Sequence, residues 1–393
     1  MSDEKNAVLT EESYIEKTDS AAGFDKIMKA VSDHQQGIKQ EVWPTGFFML
    51  DNALCGGLYG SQLICIGAIS SLGKTSFCLQ VADQMAEAGK DVLIFSLEMS
   101  KEELLAKSIS RKAYDLSEPD ATDTEAYPID EDKDEIRFTT RDVLTGNVGE
   151  SGSKRYEAFT KAIDATKALK DHVRIYVGTN DVNVDKVEEV VRMHCKATGN
   201  RPAVIIDYLQ ILTPSEEATA KRYDIRRSTN DDITRMKVLS REYDIPVLVI
   251  SAFNRSSYTD PVNMASFRES SGIEYSSDIL IGLQYEGMDY QKLSSGKSKS
   301  NSLGFETEAV HAARVDKLFE EMREVGQRGE SQPIELKLLK NRNGSRETIA
   351  LHFVPKYNYF YDGDYFPSTS KPNNSSPWDD SNIDDDDVSL PFN

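Results

Sequence analysis

Apolar residues along this chain follow two rhythms. Short, nearly continuous apolar runs read as strands: Leu63 to Ile66 and Asp91 to Ser96, both buried, then Val173 to Val177, Ala203 to Leu212, Ile245 to Ile250 and Ile279 to Leu283. Between them, apolar positions recur three and four apart, the spacing of amphipathic helices. The sets are Phe77, Leu79, Val81, Ala82 and Met85; the stretch Tyr156 to Leu169; Val187, Val190, Val191 and His194; and Ile233, Met236, Val238 and Leu239. A further helix is predicted over 20–37 from Phe24, Ile27, Met28 and Val31, and a charged one near Ala312 to Val325. Turn signals at Thr45-Gly46 and Gly56-Gly57 enclose a short helix. Two last strands, Ile334 to Lys340 and Glu347 to Val354, flank Asn343-Gly344, the dipeptide of a tight hairpin turn, and lead to the aromatic run Tyr357, Tyr359, Phe360 and Tyr361. Strands alternating with helices and closing on a hairpin predict an α/β fold. Its mostly parallel twisted sheet carries helices on both faces and a C-terminal β-hairpin, and a ligand belongs at the carboxyl edge of the strands.

One strand–turn–helix junction carries chemistry. The strand at Leu63 runs into Ala68-Ile-Ser-Ser-Leu-Gly-Lys74-Thr75 and then into a helix. Gly73-Lys74-Thr75 ends like a phosphate-binding loop, whose backbone N–H groups cradle phosphates at a helix N-terminus. Ala68, Ser70, Ser71, Leu72, Gly73, Lys74, Thr75 and Ser76 form the expected nucleotide cradle, with Lys74 reaching the β/γ-phosphates and Thr75 holding Mg²⁺. The pattern asks for Gly at 68; the chain has Ala68, with Gly67 one position early. Two carboxylates stand at strand ends nearby in the predicted topology. Glu98, just past the strand at Ser96, is placed to activate a water, and it equally reads as a carboxylate at a helix start, because Ser100 to Glu103 has the form of a capping box. Asp207 ends the run Ala203 to Ile206, the form of a strand whose terminal Asp positions Mg²⁺.

Charge and composition adjust this picture. The net charge of −20 over 393 residues argues against a uniformly basic nucleic-acid surface. The acid is concentrated, however: ten carboxylates lie within 113–135, an acidic Pro-containing excursion, and six aspartates in the last fifteen residues. A local basic channel is compatible with the rest. The four cysteines (Cys55, Cys65, Cys78 and Cys195) show no C-x-x-C spacing and read as buried reduced thiols; the scattered histidines predict no structural metal. There is no apolar run long enough to span a membrane and no basic-then-apolar leader at the start, so a cytoplasmic protein is expected.

Taken in order, five motifs resemble the C-terminal RecA-type motor domain of the DnaB-like replicative helicases over about residues 40–360. They are AISSLGKT (68–75), FSLEM (95–99), IIDYLQIL (205–212), SAFNR with RESSGIEYSSD (251–255 and 268–278), and KNRNG (340–344). The resemblance implies a RecA-like P-loop NTPase that uses ATP and Mg²⁺ to translocate on single-stranded DNA as a ring, most simply a hexamer. In it, Lys74 and Thr75 bind phosphate and Mg²⁺, Asp207 is the Walker B aspartate, and Glu98 polarises the attacking water. Arg342, with Lys340, reaches into the next subunit's nucleotide as an arginine finger. The family's phosphate loop often begins with Ala, which accounts for Ala68. Loops facing the DNA are expected at 213–227 (Lys221, Arg222, Arg226, Arg227) and 254–271 (Asn254, Arg255, Arg268, Glu269). The Arg226-Arg227 pair also reads as a solvated helix start.

The resemblance implies an organisation of 1–42 as an extension with a linker helix, 43–366 as the ATPase domain with insertions at 113–135 and 286–332, and 367–393 as a disordered acidic tail. Three departures from the family stand out. Ala252 occupies the place of a Gln that senses the γ-phosphate. In place of the family's N-terminal collar domain, only the short helix over 20–37 is expected. The 286–332 insertion and the acidic C-terminus are not part of the common motor. The tail, Asp384 to Phe392 followed by Asn393, is similar to the acidic tails of single-stranded-DNA-binding proteins, suggesting docking of a primase, a loader or such a protein, or alternatively a plain solubilising role. A second functional class, favoured by Ala252, is a RecA-type ATPase that regulates or loads replication or recombination proteins without unwinding DNA. A strand-exchange recombinase of the same fold is opposed by FSLEM and KNRNG.

Overall fold

The computed structural model describes residues 20–38, 40–117, 133–178, 182–209, 212, 225–254, 257–267, 270–292 and 305–363. The chain divides into two units, 1–42 and 43–393. In the first, α1 (Ala21–Gln35) matches the expected helix, and Phe24, Ile27, Met28 and Val31 are exposed on it. Every other element named below lies in the second unit.

That unit is built on a nine-stranded sheet. Its strands, in chain order, are β1 (Leu63–Ala68), β2 (Val92–Ser96), β3 (Val173–Val177), β4 (Ala203–Asp207), β5 (Val247–Ala252), β6 (Ile279–Tyr285), β7 (Gln332–Asn341), β8 (Thr348–Val354) and β9 (Tyr359–Asp362). The spatial order is β9-β8-β7-β6-β1-β5-β4-β2-β3. The run β6-β1-β5-β4-β2-β3 is parallel; β7, β8 and β9 add to β6 antiparallel. All residues of β1, β2 and β4 are buried, so helices cover both faces of the centre, as a parallel sheet requires. By contrast, β7 alternates buried and half-buried residues, with one face turned to the core.

The helices of this unit are α2 (Phe48–Ala53), α3 (Lys74–Glu87), α4 (Lys101–Ser117), α5 (Lys133–Ile136), α6 (Thr140–Thr145), α7 (Lys154–Ala168), α8 (Val184–Thr198), α9 (Ile225–Glu242), α10 (Ser270–Ser276) and α11 (Glu308–Arg328). Among the described residues, no helix is long and apolar enough to cross a membrane. Helix α3 leaves β1, packs on β2 and β4, and delivers the chain three strand positions away to β2. A small second core (Ile109, Ala113, Phe138, Val148 and Ala162) joins α4 to the segments that follow it.

Several expectations need correction. The excursion expected over 113–135 begins later, because α4 continues to Ser117: Ala113 is buried, and Tyr114 stacks on Tyr357 with ring centroids 5.0 Å apart. Val238 is 55% exposed and faces away from the core that Ile233, Met236 and Leu239 enter. The aromatic run is split: Tyr357 ends a 3-10 turn (Pro355–Tyr357), and Tyr359, Phe360 and Tyr361 belong to a ninth strand. Phe360 is buried against Phe353, with ring centroids 4.1 Å apart, so the terminal feature is a three-stranded meander rather than a hairpin alone. The β7–β8 turn is not a two-residue one either. Its ladder ends at the pair Lys337–Thr348, while Lys340 and Asn341 stay paired with β6 around a bulge. The Asn341 amide closes the wider loop by donating to Ser345 O, 3.2 Å away. Cys65 and Cys78 are buried as expected, but Cys55 is exposed; all four thiols are free.

Candidate active site at the carboxyl edge of the sheet

Strand β1 ends against β5 on one side and β6 on the other, with Ala68 paired to Ala252 and Leu283. The phosphate loop leaves at this point. Gly67 lies inside the strand and has a packing reason of its own: a Cβ there would sit 2.2 Å from the Phe253 ring and 2.5 Å from that of Phe267. Position 68, where the loop pattern places a glycine, is a completely buried Ala68.

The loop itself is tightly specified. Ser71 (φ 66°) and Gly73 (φ 89°) are left-handed, which bends the chain into the first turn of α3. Gly73 could not carry a Cβ, which would meet Phe353 Cζ at 2.7 Å and Phe360 Cζ at 3.0 Å. Leu72 is fully buried and anchors the loop from below. Lys74 donates from Nζ to Ala68 O and Ile69 O, each 2.9 Å away, and so curls over the loop. Burial pulls the Lys74 ammonium below the usual lysine range, while Asp207 and Glu98 push the other way.

Asp207 stands at the end of β4, one strand beyond β5, and is 4% exposed. The Thr75 hydroxyl donates to its Oδ2 at 2.7 Å. Burial raises the Asp207 carboxyl, with a further push from Glu98, against the Thr75 hydrogen bond and the Lys74 and Lys107 charges. This pair of hard oxygen donors suits Mg²⁺, which takes one or two protein ligands and completes an octahedron with water and phosphate oxygens. Glu98 is exposed at the neighbouring strand end, past Ser96. The capping box does form, with Ser100 N donating to Glu103 Oε2 at 2.8 Å and Glu103 N to Ser100 Oγ at 3.2 Å. It caps α4 at Ser100, so Glu98 lies outside the helix and serves no capping role.

Three residues near this edge were not visible to sequence reasoning. Lys107 on α4 donates to Asn358 Oδ1 at 2.7 Å and to Ser76 Oγ at 3.3 Å; Ser76 also donates to Asn358, at 3.0 Å. Tyr258 places its hydroxyl 3.2 Å from Ser70 Oγ, joining the phosphate loop to the 254–267 segment. No local pattern marks these residues, because each acts across a long stretch of chain.

Lys340 and Arg342 lie elsewhere. Asn341 pairs with Ile279, the first residue of β6, which pairs in turn with Ile64 near the start of β1. Arg342 therefore sits at the amino edge, roughly 20 Å of strand from its own phosphate loop. Its Nη2 donates to Tyr275 O at 3.1 Å, and Lys340 Nζ donates to Glu274 O at 2.6 Å. Asn254 is committed to the neck of its own loop, its amide donating to Ala265 O at 3.2 Å and Phe267 O at 3.1 Å. Lys221, Arg222, Arg255, Arg268 and Glu269, the side chains of Arg226 and Arg227, and the acidic tail lie outside what is described.

Known proteins resemble this chain. The family model of the DnaB-like helicase C-terminal domain matches residues 43–141 and 136–362. The chain belongs to this family. The replicative DNA helicase DnaB of Helicobacter pylori (strain J99) is 27% identical over 348 residues, covering 86% of this chain and 64% of that protein. The DnaB of Geobacillus stearothermophilus is 26% identical, covering 81% and 56% respectively. The chain thus spans less than two thirds of the length of these DnaB relatives. Among solved structures, an isolated ATPase domain superposes with a TM-score of 0.61 at 19% identity, covering 86% of this chain and 98% of that one. A DnaB-like replicative helicase, solved in a study of its interactions with primase, gives 0.60 at 19% identity, covering 86% and 66%. These likenesses establish the RecA-like fold within the DnaB-like family.

Proposed function

We propose that this chain is an ATP-dependent DNA helicase motor that translocates on single-stranded DNA as a ring, most simply a hexamer. The observation that carries the proposal is the split between the two edges of the sheet. Lys74, Thr75, Asp207 and Glu98 gather at the carboxyl edge, while Arg342 and Lys340 sit at the amino edge, too far to serve the same nucleotide. A finger so placed is useful only to a neighbouring copy, which makes the active unit an oligomer with composite sites. In this reading Lys74 and the loop amides hold the phosphates, and Glu98 takes a proton from the attacking water. Thr75 and Asp207 hold Mg²⁺, which when bound neutralises charge on the phosphate oxygens. The neighbour's Arg342 stabilises charge on the transferred phosphoryl group.

The organisation that fits this reading is a 1–42 extension, a 43–366 motor and a 367–393 tail. The exposed apolar stripe of α1 and the acidic tail are offered for contacts with a neighbouring copy and with a primase, a loader or a single-stranded-DNA-binding protein, respectively. Arg226, Arg227, Arg255, Arg268 and Glu269 are assigned to the DNA channel. Asn254 supports that channel from within its loop.

A strand-displacement assay with ATP tests the reading. Displacement that is abolished by Lys74→Ala is expected. The second reading, an ATPase that regulates or loads other proteins, draws on Ala252, which cannot hydrogen-bond through its side chain at the sensor position. Hydrolysis stimulated by single-stranded DNA, with no displacement at any protein concentration, would favour it and sink the helicase assignment.

A further inference from the structure

Asp278 immediately precedes β6 at the amino edge of the sheet, with its side chain only 9% exposed. Its Oδ2 accepts the Leu63 N–H at 2.8 Å and the Lys237 ammonium at 2.6 Å. Its Oδ1 faces Arg342 Nη1 at 3.4 Å, and its backbone carbonyl accepts the Arg342 N–H at 3.1 Å. One residue therefore holds Arg342 by both main chain and side chain. Arg342 is itself 45% exposed on a loop, where an unrestrained guanidinium samples many rotamers. Nearby, the carbonyls of Glu274 and Tyr275, at the C-terminal end of α10, accept from Lys340 and Arg342, the favourable end of a helix for cations.

We propose that Asp278 is a positioning residue for the neighbour's reaction: it aims Arg342 across the subunit boundary while touching no nucleotide in either subunit. The proposal rests on reading Arg342 as a finger acting in trans. Lys237 has a distinct part in it. By binding Oδ2, and Ser61 O at 2.6 Å, it fixes the carboxylate while Oδ1 stays turned to Arg342. A fixed carboxylate limits the orientations of the guanidinium, and small displacements of a catalytic group are costly to rate.

The competing role is a structural one. Asp278 also pins Leu63, the first residue of the strand that leads to its own phosphate loop, so its loss could damage its own subunit's site instead. Subunit mixing separates the two. Asp278→Asn keeps an acceptor for the Leu63 N–H, and is expected to lower kcat about 10- to 100-fold with KM for ATP nearly unchanged. Mixed with Lys74→Ala, whose own sites are dead but whose Arg342 is correctly held, hydrolysis should recover several-fold above either variant alone. No recovery would mean that the Asp278→Asn subunit has lost its own site, and the proposal falls. The pair Arg342→Ala with Lys74→Ala is run in parallel. If that pair recovers and the Asp278→Asn pair does not, the trans finger stands and only the role of Asp278 is overturned; if neither recovers, the finger reading fails and takes this proposal with it. Should Asp278→Asn fold poorly because Lys237 is left unpaired, the double variant Asp278→Asn/Lys237→Gln removes both charges and carries the same mixing test.

Discussion

The two edges of the central sheet are built on opposite terms. At the carboxyl edge, Lys74 folds back on the carbonyls of its own loop, Thr75 meets a 4%-exposed Asp207, and Gly73 lies against the rings of Phe353 and Phe360. At the amino edge, Arg342 is nearly half exposed and held by one carboxylate and two carbonyls. The first arrangement is closed by contacts within one chain. The second is steered from within the chain but presented outward. In the proposed reaction, which needs both, each subunit's turnover would depend on its neighbour, because the length of the sheet separates the two edges.

The sharpest way to break this comparison is at the amino edge. Arg342→Ala should cut ATP turnover about 10³- to 10⁵-fold, the range for a lost arginine finger, while leaving nucleotide affinity nearly intact. Full turnover in that variant would dissolve the composite site. At the carboxyl edge, Glu98→Gln should cost about 10²- to 10⁴-fold, the range for a lost general base. The two losses differ in kind. Glu98→Gln mixed with Lys74→Ala should stay inactive, because both defects fall on the same half of the site and every interface lacks one or the other.

The carboxyl edge was the more legible half, and the reason is physical. A phosphate loop, a strand-end Glu98 and a strand-end Asp207 are read from short runs in which apolar pattern and polar terminus are adjacent in the chain. Lys107, Asn358, Tyr258 and Asp278 act through contacts between distant segments, such as the Lys107–Asn358 bond across 251 positions, and a buried lysine looks like any other in sequence. The turn at Asn343-Gly344 was misjudged because the hairpin rule assumes two strands alone, whereas β6 keeps hold of Lys340 and Asn341. Gly67 was legible only as an anomaly until the rings of Phe253 and Phe267 explained it. The strand at Tyr359 was hidden because four aromatic or polar residues, alternately half-buried and buried, look like a cluster until Phe360 is seen beneath the loop.

A third test reads stability in place of turnover. Gly73→Ala combines a left-handed φ with a Cβ placed 2.7 Å from the Phe353 ring, and should destabilise the fold by about 2–4 kcal/mol. Thermal unfolding of this variant beside a glycine-to-alanine change in open space, Gly89→Ala (φ 73°), separates the steric part from the backbone part. Equal losses in the two would show that the aromatic floor does not press on the loop.

The smallest effect contrasts two buried aspartates, one at each edge. Asp91 precedes β2 at the amino edge. Burial would raise its carboxyl, but hydrogen bonds from His172 (2.7 Å), Asn200 (3.0 Å) and His194 (3.0 Å) outweigh it and hold the group below the usual range. Asp207 is shifted upward by burial. The signs follow from linkage. The depressed Asp91 contributes stability that is present above its unfolded pKa of about 3.9 and is lost as pH falls through its folded value. The raised Asp207 does the reverse, so stability declines as pH rises from the unfolded to the folded value, and above the folded value the ionised carboxylate is a standing cost. Asp91→Asn should therefore lower stability at pH 7 by about 1 kcal/mol and flatten the acid limb, whereas Asp207→Asn, which still accepts from Thr75, should raise it by a similar amount while abolishing turnover. Denaturant midpoints of both variants from pH 3 to pH 8 decide the matter. Two losses of the same sign at pH 7 would mean that Asp207 is held for the fold as well as for its proposed metal, and that the carboxyl edge carries no stored cost for its chemistry.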